Sequence, residues 1–140
     1  MIKIRRGLRL PITGLPKNLV KEKPVKKVGL LGSDYINMKP TMLVKEGDNV
    51  LKGQAIFKCK KNQGQVFTAP VSGKVAEIKR GERRVFQSIS IEVEDTKERY
   101  QFSSYKNKSI DNYEKKEIVD LIIESGMWSS FRTRPYSQSP

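Results

Sequence analysis

Histidine is absent from this 140-residue chain, and cysteine occurs once, at Cys59. The first absence removes the commonest general base and every Ser-His or Cys-His nucleophile pair. The two together leave the usual zinc and iron ligand sets unfilled, and a lone thiol cannot close an internal disulfide. Long apolar runs are also missing, and nothing approaches the roughly 20 residues of a membrane-spanning helix. The opening MIKIRRGLRLP lacks the apolar stretch and small-residue cleavage site of a secretory signal, so the default address is the cytoplasm. Acidic residues are scarce, with 15 Asp and Glu against 28 Lys and Arg, for a net charge of +13. Aromatics make up 8% of the chain and none falls in the first 27 residues. In that stretch Lys3, Arg5, Arg6, Arg9, Lys17, Lys21, Lys23, Lys26 and Lys27 face only Glu22. Nucleic-acid binding wants aromatics interleaved with its cations, so it is not expected. Two alternatives remain for the basic N-terminus: docking beside anionic lipid headgroups, or an ordinary solvated surface rich in lysine.

What is present is short, glycine-punctuated β-structure. Residues 1–12 alternate, with Ile2, Ile4, Leu8, Leu10 and Ile12 on one side of a strand pair broken at Gly7. Pro11 to Pro24 is too rich in Pro and Gly for a regular element and reads as an extended crossing segment. Lys26 to Leu31 is expected as a short buried strand. From Leu43 to Ile78 two short strand pairs are predicted: Gly47-Asp48 closes one, Gly53-Gln54 starts the second, and Pro70 to Gly73 turns the chain before Val75, Ala76 and Ile78. Strands this short are unstable as isolated hairpins and must pack on one another, which implies a flattened barrel or sandwich. Lys79 to Arg84 is a basic turn, and Val85 to Glu94 alternates with Val85, Ile89, Ile91 and Val93 as its buried face. Cys59 lies between Lys58, Lys60 and Lys61. Either those cations favour its thiolate, or, more plainly, it is a small strand side chain alternating with lysines.

Beyond the strands, Asp95 to Asn112 is polar, carries Tyr100, Phe102 and Tyr105, and reads as a linker leaving the barrel. Asp111-x-x-Glu114 resembles a capping box opening a helix, Ile118, Val119, Leu121, Ile122 and Ile123 supply its apolar face, and Gly126 ends it. The helix has nothing evident to pack against, and Met127, Trp128, Phe131 and Tyr136 crowd the last residues. This predicts that the chain is the N-terminal piece of a longer protein.

The pattern Gly47-Asp48-x-Val50-x-x-Gly53-Gln54, followed by Ala69-Pro70-x-x-Gly73-x-Val75, resembles the lipoyl and biotinyl carrier domain. The fold this implies is mainly β, a barrel-sandwich hybrid. Carriers place a modifiable lysine on the hairpin tip between those halves. Here the matching tip is Asn62-Gln63-Gly64, preceded by Lys60 and Lys61, and the attachment signature is missing.

Blocks along almost the whole chain resemble a second family. They are Ile4-x-x-Gly7-Leu8-x-Leu10-Pro11-Ile12-x-Gly14, Lys27-Val28-x-Leu30-Leu31-Gly32, Met38-x-Pro40-Thr41-Met42, Phe67-Thr68-Ala69-Pro70, Arg80-Gly81-x-x-Arg84-Val85-x-Gln87-Ser88, and Ser125-Gly126-x-Trp128-x-x-x-Arg132-Thr133-Arg134-Pro135-Tyr136-Ser137. Together they are similar to the A-subunit family of the sodium-translocating NADH:quinone reductases. The resemblance implies a peripheral component on the cytoplasmic face of a bacterial inner membrane. Its complex would pass electrons from NADH to ubiquinone and move sodium ions, with flavins and an iron-sulfur centre on other subunits. It implies no cofactor in this chain, the other subunits as partners, and an association with quinone to which no residue is assigned. The alternative is a free-standing carrier or binding module.

The helix, Ser125-Gly126 and the following loop also resemble the flavin-binding segment of the complex I flavoprotein. There, glycines admit a phosphate to the backbone. Residues 127–135 have lost those glycines, and Trp128 and Phe131 would obstruct such an approach, which implies a related scaffold without nucleotide. Arg132 and Arg134 remain as candidate contacts for an anion or for acidic groups of a partner. The expected organisation is a barrel-sandwich hybrid over residues 1–103, followed over residues 104–140 by a linker, a helix and the start of an α/β domain.

Overall fold

Glycine turns carry the chain repeatedly between two small sheets. The computed structural model describes residues 7, 14, 17–35, 37–62, 64–136 and 139–140. The strand pair expected over residues 1–12 lies outside them apart from Gly7. Residues 17–25 have no regular structure and are exposed. Among the described residues seven strands follow: β1 (Lys27–Leu31), β2 (Pro40–Met42), β3 (Asn49–Val50), β4 (Ala55–Cys59), β5 (Val66–Thr68), β6 (Gly73–Arg80) and β7 (Phe86–Val93). One antiparallel sheet has the order β1-β7-β6-β3, the other β2-β4-β5. An α-helix, α1 (Lys115–Glu124), comes after them, flanked by 3-10 turns at Ile110–Asn112 and Met127–Ser130.

The turns do something different from what their glycines suggest. Gly47-Asp48 does not close a strand pair: β2 pairs with β4 while β3 pairs with β6, so this turn crosses from one sheet to the other. Gly53-Gln54 crosses back, and Pro70 to Gly73 crosses once more. The first two corners are held locally, Lys45 N–H donating to Asp48 Oδ2 at 2.8 Å and Leu51 N–H to Gln54 Oε1 at 3.0 Å, and the third is tied to the first sheet's edge by Lys52 N–H donating to Ser72 Oγ at 2.8 Å. Among the described strands only β4–β5 and β6–β7 are sequential hairpins, and the basic run Lys79–Arg84 forms the tip of the second. At Gly73 a Cβ would come within 1.9 Å of the Glu92 carbonyl oxygen, so the residue that opens β6 is fixed by close backbone approach.

The core is the space between the sheets. Val44, Val50, Ile56, Phe57, Cys59, Phe67, Ala69, Val75, Phe86, Ile89 and Ile91 are buried there. Register slips account for the departures from strict alternation. The β4–β5 ladder shifts between Ala55 and Phe57, and the neighbours Ile56 and Phe57 are both 0% exposed. In β7, Lys79 pairs with Ser88 but Arg80 with Phe86, which leaves Gln87 as an extra residue. That bulge reverses the face of everything before it, so Phe86 is buried and Val85, expected inside, is 62% exposed. Likewise β1, expected to be buried, is an edge strand with only Val28 and Leu30 half covered.

Residues beyond β7 stay against the barrel instead of leaving it as a linker. Tyr100 N–H donates to the Lys52 carbonyl at 3.0 Å, the Ser72 hydroxyl donates to the Glu98 carbonyl at 3.1 Å, and Phe102 lies over Gly53. The helix begins one turn later than the sequence implies. Asp111 sits in a 3-10 turn, and the N-cap of α1 is Glu114, whose N–H donates to Glu117 Oε2 at 3.0 Å. At the far end Gly126 adopts φ +79 and donates its N–H to the Ile123 carbonyl at 3.0 Å, terminating α1 as the sequence implies. The helix does find a surface: the Ser125 carbonyl accepts from the Thr68 hydroxyl of β5 at 3.3 Å.

Candidate functional site

The β4–β5 tip is where a carrier would display its lysine. Local bonds shape it: Gly64 N–H donates to Asn62 Oδ1 at 3.0 Å, Gln65 N–H to the Asn62 carbonyl at 3.1 Å, and Cys59 N–H to the Gln65 carbonyl at 2.9 Å. The tip is not free. The indole of Trp128 packs onto Gly64 so closely that a Cβ there would lie 2.8 Å from its Cδ1. Asn62 Nδ2 donates to the Ser139 carbonyl at 3.4 Å and Gln65 Nε2 to the Ser139 hydroxyl at 2.7 Å. The 3-10 turn after α1 is thus seated on the tip, and Trp128 meets Phe131 with ring centroids 5.4 Å apart.

Beside this contact lies a cavity of about 430 Å³. Its cations are Lys61 and Arg132, its aromatic walls Tyr35, Phe67 and Tyr136, and its amides Asn37, Asn62 and Gln65. Among the described residues no Asp or Glu borders it. The structure therefore brings Arg132 together with Lys61, while Arg134 and Lys60 stand outside the lining. Arg132 is oriented through one nitrogen, Nη1, which donates to the Phe131 carbonyl at 3.1 Å, the Ser139 hydroxyl at 3.0 Å and the Ser129 carbonyl. Sequence reasoning names Lys61 and Asn62 only as parts of the carrier-like tip and does not single out Gln65 or Tyr35. Gln65 is signalled only by its proximity to the tip, and Tyr35 is brought in from the chain before β2 by the fold alone.

Two groups at this cavity titrate away from their ordinary values. Burial, helped by the Asp34 charge, pushes the Tyr35 hydroxyl up and keeps it protonated. Burial also pushes the Cys59 thiol up, but backbone donors from Lys39, Asn62 and Lys61 and the Lys61 charge outweigh it and lower the thiol on balance. Cys59 is nevertheless buried, at 3% exposure, with Lys58 and Lys60 pointing out, which is the plainer of the two sequence alternatives. Among the described residues no group of His, Cys, Asp and Glu is arranged to hold a metal ion, and no helix is long and apolar enough to cross a membrane.

With this geometry in place, the chain can be set beside known proteins. The model of the NqrA N-terminal barrel-sandwich hybrid domain matches residues 2–94. A protein of Marinomonas sp. (strain MWYL1), named as the A subunit of a Na(+)-translocating NADH-quinone reductase, is 51% identical over the whole of this chain, which covers 32% of that protein. Proteins of the same name from Neisseria meningitidis and Yersinia pestis are 50% and 48% identical over the whole chain, covering 31% of each. The chain spans about a third of the length of the curated relatives it matches.

Proposed function

The chain belongs to the family of the NqrA N-terminal barrel-sandwich hybrid domain, and from that premise we propose that it acts within the A subunit of a bacterial sodium-translocating NADH:quinone reductase. In this role it is structural and organising. It belongs to a complex that transfers electrons from NADH to ubiquinone and couples them to sodium transport. NADH, flavins, the iron-sulfur centre and ubiquinone are held by or with other subunits, and this segment holds none. Its place is the cytoplasmic face of the inner membrane, as a peripheral component. Residues 1–103 form the barrel unit, and residues 104–140 open a second, α/β unit.

The observation that carries this reading over a free-standing carrier is the closed tip. A carrier's lysine must swing between active sites on an exposed hairpin. Here Trp128 and Ser139 hold that hairpin from the side. Purifying the full-length protein from membranes and identifying its companions tests the proposal. Recovery with the other subunits of the reductase is expected, and a soluble protein with no membrane partner counts against it. Intact mass supplies the complement: no lipoyl or biotinyl group on Lys60 or Lys61 is expected.

The exposed segment Lys17–Lys27 supports a second, narrower role beside anionic lipid headgroups, each nearby cation contributing about 1 kcal/mol. Binding to vesicles containing phosphatidylglycerol that weakens steeply with salt is the expected result. Equal binding to neutral vesicles contradicts it.

A further inference from the structure

The cavity beside the β4–β5 tip combines features that no part of the proposed scaffold role requires. From its lining we infer that it is a binding site for a small organic anion, a planar ring carrying a carboxylate or phosphate group.

The charge comes from Lys61 and Arg132, which meet there without any bordering carboxylate among the described residues, in a chain whose described ion pairs are both made by Glu117, away from this site. A guanidinium has five N–H donors, and among the described residues the bonds that orient Arg132 engage a single nitrogen. A carboxylate or phosphate has the shape to take such donors in pairs. The amides of Asn62 and Gln65 and the protonated hydroxyl of Tyr35 add neutral donors around the same space.

The preference for a ring comes from the walls. Phe86, Phe57, Phe67 and Tyr35 form a continuous aromatic cluster, with successive centroids 5.2, 4.7 and 4.4 Å apart and only Phe57 and Phe67 near-parallel. Phe67 and Tyr35 face the cavity with their planes tilted by 57°, so a planar ligand ring there has one aromatic wall for face contact and another for edge contact. The volume, about 430 Å³, lies within the range of pockets that enclose small organic ligands.

The test is an amide-resolved NMR titration of the 140-residue chain with four probes: benzoate, phenyl phosphate, benzyl alcohol and inorganic phosphate. Saturable shifts at Asn62, Gln65, Ser129 and Arg132 with benzoate or phenyl phosphate are expected, and whichever of the two binds tighter identifies the headgroup. Benzyl alcohol and inorganic phosphate should bind about tenfold more weakly or worse, since each lacks one half of the recognition. Lys61→Met and Arg132→Met should each weaken the ring-bearing anion about tenfold, the effect of losing one charge-assisted bond, while thermal unfolding shows that both variants fold. No saturable shift with either ring-bearing anion overturns the inference. Benzyl alcohol binding as tightly, or variants binding as tightly as the parent, does the same. Binding by this chain that vanishes in a full-length relative also overturns it, because the cavity would then be a socket for an acidic side chain of the remaining protein.

Discussion

The barrel and the segment after it are held together by different physics. Among the described residues every buried apolar side chain lies between Val44 and Ile91, and none after Ile91 is buried. The barrel therefore rests on area removed from water, which carries no charge to titrate or to be screened. The later segment rests on named polar bonds. Glu117 is clasped by Lys106 and Lys108, and Glu124 accepts from the Ser103 and Ser104 N–H groups at 2.9 and 2.8 Å. Its contacts with the barrel are a few local ones: Tyr100 and Phe102 at Lys52 and Gly53, Trp128 on Gly64, Ser139 on Asn62 and Gln65, and Thr68 on Ser125. From this difference the appendage is expected to loosen without melting the core.

The strongest way to break the comparison is to empty the core. Phe57→Ala removes a ring that is 0% exposed and stacked on Phe67 at 4.7 Å, and should cost about 3–5 kcal/mol in urea unfolding. A cost below about 1 kcal/mol would mean that the sheets do not depend on their interior.

Trp128→Ala acts on the other side of the comparison. It should leave the barrel's unfolding midpoint nearly unchanged while amides of α1 exchange faster, by about 1–2 kcal/mol of lost local protection. If barrel and helix lose protection together, the two regions form a single cooperative unit.

A smaller effect of opposite sign is expected at the β6–β7 tip, where Arg83 and Arg84 hold φ +53 and +59. Arg83→Gly relieves a conformation that side chains disfavour and should raise the barrel's stability by about 0.5–1 kcal/mol in thermal unfolding. A loss of stability would show that the arginine side chain contributes more than its backbone costs.

The least costly perturbation is pH. Lys106 first, then Lys108, holds the Glu117 carboxyl at about 2, below its ordinary 4.5. Its folded value is depressed, so its contribution is complete above 4.5 and is lost as the pH falls towards 2. Protection of α1 amides should decline across that window and the decline should disappear in Glu117→Gln. The clasp is exposed and screened, so the effect is small. Glu124 titrates in the same sense, because its Ser104 and Ser103 bonds outweigh the upward push of partial burial.

The fold is legible in the sequence where backbone chemistry is local. Glycine and proline mark the corners, Gly126 ends the helix, and the carrier-like spacing from Gly47 to Val75 implies the barrel-sandwich hybrid that the family model also matches. Pairing is not legible. A Gly-Asp turn looks the same whether it joins partners in one sheet or crosses between two, and the difference is set by the hydrophobic faces that must meet. Nor can alternation foresee a bulge, and the extra residue at Gln87 is enough to exchange Val85 for Phe86 inside. At the site, Arg132 is named from the sequence only together with Arg134, through the resemblance of their loop to a flavin-binding segment, and of the two only Arg132 lines the cavity. Tyr35 and Phe67 cannot be foreseen, since aromatic residues on strands ordinarily signify core, and here they are both core and cavity wall.

The central claim is that the hairpin of a carrier-shaped barrel is closed by the chain that follows it. An NOE experiment on the indole of Trp128, the sole tryptophan, tests this most directly. Cross-peaks from its Hδ1 and Hε1 protons to the Gly64 α-protons, with those α-protons shifted by the ring current, are predicted. A Gly64 at ordinary shifts with no indole contact would leave the tip as open as that of a carrier and contradict the account.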